Sequence, residues 1–270
     1  MKNRVLSSPY LVWMGLFTIM PLVLVAYYAL TGAGGSLTLN NLSDVRQFSG
    51  VIFRSVWLAV IATAICLVMA YPLAFAMSRM SPRWQRVSMM MVMLPMWINF
   101  LLRTYAWMTL LENTGLINRL FGFFGLGPFQ MINTQGAVVL GMVYNYVPFM
   151  ILPLYSVMVK IDGSLIQAAQ DLGSNALGVF RNVVLPLSMP GVTTGVTMVF
   201  VPAVSTFAIS RMLGGGQNLM IGDLIELQFL GTSYNPNLGS AISLVLMVLV
   251  LFLMSAMNQF GDEEKEGMII

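Results

Sequence analysis

The chain has 270 residues, of which 58% are hydrophobic and only 9% charged, with a formal net charge of +3. Soluble domains carry about 25% charged residues, so this chain lacks the polar groups to cover a globule in water, and its excess apolar surface must face lipid or partner subunits. Histidine is absent and Cys66 is the single cysteine, which excludes disulfides, zinc sites and Cys/His nucleophile pairs within the chain; no charge run resembles a nucleic-acid patch.

A membrane helix needs about 20 mainly apolar residues. The first such stretch is Tyr10–Leu30, preceded by Lys2 and Arg4. It is too long for the apolar core of a signal peptide, and Thr31-Gly32-Ala33 is a weak cleavage motif, so it is expected to stay as a span. A loop rich in Gly, Asn and Ser (Thr31–Gly50) leads to the second span, Ile52–Ser78. The tight basic turn Ser78–Arg86 precedes the third, Val87–Leu111, and Glu112–Gln135 separates it from the fourth, Gly136–Val159. Lys160–Leu187 is a long loop with helix signals, followed by the fifth span, Ser188–Ser210. The Gly-rich, partly apolar loop Arg211–Leu238 is expected to dip back into the membrane before the sixth span, Gly239–Met257. Asp262, Glu263, Glu264, Lys265 and Glu266, within Gly261–Gly267, read as a solvated end. The expected fold is all-α and integral to the membrane: one domain over residues 1–270 with six transmembrane helices.

Lys and Arg in the loops set the orientation. With the N-terminus inside, eight of them (Lys2, Arg4, Arg79, Arg83, Arg86, Lys160, Arg181, Lys265) lie in the cytoplasm against four outside (Arg46, Arg54, Arg119, Arg211). Both termini are therefore expected to be cytoplasmic. Arg103 falls inside a span, and such a cation is expected to find a structural pairing partner. Only Lys2, Lys160 and Lys265 are lysines, and no G-x-x-x-x-G-K-[ST] occurs. The chain has no P-loop with which to bind ATP, so any ATP energy has to come from a partner.

The loop between the fourth and fifth spans carries the most chemistry. Ser164 is a good N-cap with Gln167 three residues on, a capping box. Leu165, Ala168, Ala169 and Leu172 fall on one helical face, and Gly173 is placed to end the helix in a left-handed turn. A second short helix is expected from Asn175 to about Val184, with Pro186 and Pro190 at the start of the next span. Ala168-Ala169 and Gly173 let another backbone or ring approach closely. A free interfacial helix would be expected to carry large apolar and basic residues instead, so a protein groove suits this one better than lipid.

That loop resembles the permease subunits of bacterial ATP-binding-cassette importers. Their pattern E-A-A, three residues, G, nine residues, I-x-L-P is matched by Gln167-Ala168-Ala169, Gly173, Val183 and Leu185-Pro186 with every spacing intact. Gln167 stands for the usual glutamate and Val183 for isoleucine. The resemblance implies a cytoplasmic coupling helix that seats on an ATPase subunit, with Gln167, Ala168, Ala169, Asp171, Leu172 and Gly173 as docking surface. Leu185 and Pro186 would set the angle at which the loop re-enters the membrane.

Within that family, Tyr71-Pro72-Leu73-Ala74-Phe75, Leu94-Pro95-Met96-Trp97, Val147-Pro148-Phe149-Met150 and Asn218-Leu219-Met220-Ile221-Gly222 are similar to the spermidine/putrescine permeases. The resemblance implies a polyamine cargo and four kinds of partner. These are a second related permease or another copy of this chain, two ATPase subunits that hold ATP and magnesium, an extracytoplasmic substrate-binding protein, and the bilayer. This chain would bind no cofactor and perform no bond chemistry. A polyamine pathway should offer aromatic faces, worth roughly 0.5–2 kcal/mol each to a cation, and a few acidic groups. The candidates are Trp97, Tyr105, Glu112, Tyr144 and Tyr146 in or at the ends of the spans, and Asp223 and Glu226 in the loop Arg211–Leu238. Each aromatic is also open to an ordinary reading as helix packing or interfacial belt, and the two acids to one as a solvated face.

Three other readings bound this one. An importer permease for another small solute would share several of these segments. An ion-coupled secondary transporter needs coupling groups in the membrane, of which this chain has few. An intramembrane enzyme should show paired catalytic side chains inside the spans, and there are none.

Overall fold

The structure is a computed structural model that describes residues 9–266 apart from 11, 33 and 232, with side chains through residue 256. Lys2, Arg4 and the Lys265 side chain, used in the charge count, lie outside the described residues. In chain order, a π-turn at Gly15–Ile19 leads into α1 (Met20–Ala29), and α2 (Asn40–Asp44) is joined by the 3-10 turn Val45–Phe48 to α3 (Ser49–Ser78). Then come α4 (Pro82–Met93), the 3-10 turn Leu94–Trp97, α5 (Phe100–Leu111), α6 (Leu116–Phe123) and α7 (Gln135–Met158). The chain continues through α8 (Gly163–Asp171), α9 (Ala176–Val179), the π-turn Phe180–Val184 and α10 (Leu185–Ser205). It closes with α11 (Ala208–Gly214), α12 (Ile221–Leu230) and α13 (Pro236–Glu266). Among the described residues the only β pairing is a single bridge between Thr31 and Leu37.

Five helical runs among the described residues are long and apolar enough to cross a membrane, and six if the bent pair around Ile98–Asn99 counts as one span. That bent pair is a correction to the third span. Val87–Leu111 is not a continuous helix, because the chain turns by 85° between Pro82–Trp97 and Phe100–Phe123. Pro95 has no N–H to give to an α-helical ladder and suits the tighter 3-10 turn. Asn99 then starts a new helix, its Oδ1 accepting from the Leu101 and Leu102 amides at 2.8 and 3.4 Å.

The centre of the bundle is α3, α7 and α10, held close by small residues. Ala59, Ala62, Cys66, Ala70 and Ala74 are fully buried along α3, spaced by three and four so that they share one face. On α10, Gly191 and Gly195 meet α7. A Cβ at Gly191 would lie 3.1 Å from the Pro153 carbonyl oxygen, and one at Gly195 would lie 3.3 Å from that of Met150. This is the small-x-x-x-small solution to packing in a bilayer, where close backbone approach replaces the hydrophobic effect. At the rim, α13 packs against α1, α10 and α12.

Two further boundaries differ from expectation. The second short helix and the fifth span are one helical run, Ala176–Ser205. A mid-helix proline clashes with the carbonyl four residues back; the π-turn Phe180–Val184 widens the backbone immediately before Leu185 and Pro186 and lets the helix continue. Leu185 and Pro186 thus sit at a π-to-α junction rather than at the re-entry of a loop. At its far end the fifth span stops at Ser205, and Ser210 belongs to the separate α11. The tail expected to be a solvated end continues in helix to Glu266.

Candidate functional site

The ends of α3 and α7 form a platform under α8. The Arg79 Nη1 donates to the Ile161 carbonyl at 3.2 Å while its guanidinium lies over the Phe75 ring, 5.4 Å from the centroid. Gln85 donates to the carbonyls of Ser78 and Met80 at 3.1 and 3.0 Å and accepts from the Tyr155 hydroxyl at 3.3 Å. Tyr71 and Ser188 share a 2.7 Å hydroxyl–hydroxyl bond that ties α3 to the start of α10. Arg79, Arg83, Arg86, Lys160 and Arg181 all belong to this end of the bundle.

From that platform α8 projects with no buried residue. Its start is a correction, for the cap is Asp162, not Ser164. The Asp162 carboxylate accepts from the Ser164 amide at 3.0 Å, and that bond holds its pKa below the usual carboxylate range, followed by the Ser164 hydroxyl. Carboxylates belong at this position because the helix N-terminus is electropositive. Gly173 ends the helix as expected, at φ +84°. Its amide bonds to the Gln170 carbonyl at 2.8 Å and the Ser174 amide to that of Ala169 at 3.0 Å, the bond pair of a Schellman motif. Gln167, Ala168 and Asp171 are exposed, Ala169 is half-buried and Leu172 is 88% exposed at the tip. The structure therefore gathers six of the loop's eight candidate residues, Gln167 to Gly173, on one protruding segment, while Leu185 and Pro186 lie apart at the start of α10.

The aromatic candidates separate into three settings. Tyr144 meets Trp107 edge-to-face at 5.4 Å between centroids, and the two rings line a groove of about 720 Å³ with Leu58, Ile65 and Val143. Trp97 and Tyr105 stand exposed on the broken third span, and Glu112 is exposed at the C-terminal end of α5. Tyr146 faces the other way. It is buried, and its hydroxyl donates to the Pro202 carbonyl at 3.4 Å, serving one of the free carbonyls near the end of α10.

Asp223 and Glu226 are committed within the chain. Asp223 is fully buried and accepts from the Ser210 hydroxyl at 2.6 Å and the Met220 amide at 2.8 Å, with the Arg211 Nε at 3.8 Å. Burial pushes its carboxyl above the usual range against those bonds, and Glu226 adds to the rise. Glu226 accepts from the Arg211 Nη1 at 2.8 Å, and its other carboxylate oxygen lies 2.8 Å from Nη2 in the same ion pair without hydrogen-bond geometry. Asp223 is therefore not on a solvated face, and Glu226 is half-buried in its pair with Arg211. Together they clasp α11 to α12. The Ile221 amide, free at the start of α12, donates to Ser55 on α3 at 2.8 Å. Arg103 is not paired as expected: among the described residues its Nε and Nη1 are buried without a partner. Ser55, Asn99 and Ser210 have structural roles that sequence reasoning missed; only Asn99, a good capping residue just past Pro95, carries a readable signal.

A bundle with a free-standing helix at one end and close-packed, proline-containing spans is the frame of a membrane permease. The chain belongs to the family of binding-protein-dependent transport system inner membrane components, which matches residues 70–260. It is thus a multi-pass inner-membrane permease component and not itself an enzyme. It is similar to the spermidine/putrescine transport system permease protein PotB of Haemophilus influenzae, 36% identical over 267 residues that cover 94% of this chain and 93% of the relative. The PotB of Escherichia coli is 34% identical over 249 residues, 88% of this chain and 90% of that one. Among solved structures, a bacterial ABC transporter involved in the import of alginate superposes with a TM-score of 0.81 at 15% identity, over 97% of this chain and 96% of that one. At that identity the likeness concerns the fold alone.

Proposed function

We propose that this chain is the permease subunit of an ATP-driven polyamine importer, with spermidine and putrescine as cargo. Relatives bearing that assignment align over about nine-tenths of both chains, and this is the observation that carries the cargo. The assembly would contain a second permease (related, or another copy), two ATPase subunits that hold ATP and magnesium, and an extracytoplasmic binding protein. Both termini would be cytoplasmic, in keeping with the basic residues gathered at the α8 end.

The turn Gln167–Gly173 would dock on an ATPase subunit, with Leu172 as its apolar tip and Gln167 in place of the family's charge. The helix α9–α10 would carry the motion of that turn into the core, with Leu185 and Pro186 setting the angle at its π-to-α junction. The cargo would pass along a surface bearing Trp97, Tyr105, Tyr144 and Glu112. Aromatic faces there attract an ammonium without holding it as tightly as a carboxylate cluster would. Tyr146, Asp223 and Glu226 would support that surface without touching the cargo. The test is co-purification with the ATPase subunits followed by ATP hydrolysis with spermidine-loaded binding protein. Stimulation by spermidine and putrescine supports the reading; stimulation only by an unrelated solute removes the cargo assignment.

A further inference from the structure

The segment between α5 and α7 has no part in the proposed transport chemistry. Residues 113–134 contain one charged residue, Arg119, and no acid. Leu116, Leu120, Phe123, Phe124 and Leu126 are between 52% and 85% exposed. They are held out by a built scaffold, not by a loose loop. Asn118, 5% exposed, donates to the carbonyls of Glu112 and Phe129 at 3.1 and 2.9 Å and accepts from the Phe129 amide at 2.8 Å. Gly115 packs against the end of α5, where a Cβ would lie 2.6 Å from the Thr109 and Leu110 carbonyl oxygens. The Phe121 and Phe129 rings meet edge-to-face at 5.4 Å, which closes the return strand of the segment onto α6.

We infer that α6 and its return strand form an interfacial anchor lying in the leaflet opposite α8. Three observations choose lipid as the occupant. The segment begins where α5 ends and finishes where α7 begins, and α5 and α7 belong to apolar runs long enough to cross a membrane, which would put both of its ends at the boundary of the hydrocarbon core. Asn118 ties the return strand to the end of α5 through the Phe129 amide and carbonyl and the Glu112 carbonyl, and the face it holds out presents leucine and phenylalanine side chains. The one charge beside that face is a cation, and its Nε already donates to the Thr114 carbonyl at 3.0 Å, leaving the rest of the guanidinium to reach lipid phosphate. An apolar face with a basic residue is the composition of a helix lying in the plane of the membrane; left in water, a patch of that size is an aggregation liability.

The test is site-directed spin labelling of the assembled complex in vesicles of phosphatidylethanolamine and phosphatidylglycerol, with Cys66→Ser as background. Labels are placed through Leu120→Cys and Phe123→Cys, with Ser36→Cys in another loop at the same end as the aqueous control. The expected result is an oxygen-to-nickel collision ratio several-fold higher at 120 and 123 than at 36, unchanged when the binding protein is added. Labels as open to the nickel reagent as the control would overturn the inference in favour of a water-facing patch. Labels shielded from both reagents would overturn it in favour of a protein partner. Leu116→Cys and Leu126→Cys give the same readout if Phe123→Cys does not assemble. The collision ratio is indifferent to cargo and to ATP, so it stands or falls apart from the polyamine reading.

Discussion

Gly173 separates backbone conformation from surface contact in the coupling turn. It sits at φ +84°, and a Cβ added there would meet nothing within 4 Å. Substitution therefore costs conformational energy alone, about 1–2 kcal/mol for a non-glycine residue in the left-handed region. One or two kcal/mol is a factor of about 5–30 in a two-state ratio, so Gly173→Ala should lower the fraction of α8 that keeps its closing bonds by that order. A β-branched residue should cost more, and asparagine, which tolerates this region, less. The assay is ATP hydrolysis stimulated by loaded binding protein, in complexes whose assembly is checked by gel filtration. Stimulation is expected to fall in the order wild type, Gly173→Asn, Gly173→Ala, Gly173→Val. Full stimulation by Gly173→Val would refute the role of the turn. Equal losses for asparagine and valine would mean that the partner needs the missing side chain, not the backbone geometry.

Three other substitutions probe the remaining parts. Tyr144→Ala removes one ring of the groove pair; if that ring meets the cargo, KM for spermidine should rise by a factor of about 2–30, the equivalent of a 0.5–2 kcal/mol cation–π contact, whereas an unchanged KM returns Tyr144 to packing. Gly222→Ala puts a methyl 2.6 Å from the Thr206 carbonyl oxygen and against that of Ser205; overpacking of this kind costs typically 1–3 kcal/mol, so the melting temperature of the complex should drop, and an unaltered one would show that α12 yields freely. Asp223 holds its proton more tightly in the folded protein than in the unfolded chain, because burial raises its pKa. Its contribution to stability is thus present at low pH and is lost as pH rises from the ordinary carboxylate range through the folded value. Asp223→Asn should flatten that fall when melting is followed between about pH 4 and about pH 7, and parallel wild-type and variant curves would remove Asp223 as its source.

The sequence is most legible where a structural demand is local. Hydropathy locates the spans because a bilayer imposes it residue by residue, and Gly173 announces a left-handed turn because few other residues accept one. The N-cap is a closer contest. Asp162 and Ser164 are both good caps two residues apart, and Gly163 joins the helix, which gives the cap to Asp162. The turn at Asn99 is hidden because hydropathy registers apolar length and not backbone direction. Pro186 and Pro190 mark the start of the next span and suggest a break before it, yet the π-turn Phe180–Val184 joins the short helix to that span across Pro186. Gly191-x-x-x-Gly195 is legible as a close-packing motif, but its partner on α7 is not. The clasp of Arg211, Asp223 and Glu226 shows the limit on the site. Sequence supplies three charges near one another, and only the packing of α11 on α12 shows that the acids are spent on an arginine, a serine and a backbone amide.

ATP-dependent uptake of radiolabelled spermidine into vesicles containing the complete complex tests the central claim most directly, with the proton gradient collapsed by an ionophore. The expected result is uptake that requires ATP and loaded binding protein, survives the ionophore and is lost in Gly173→Val. Uptake that follows the proton gradient and ignores ATP would contradict it.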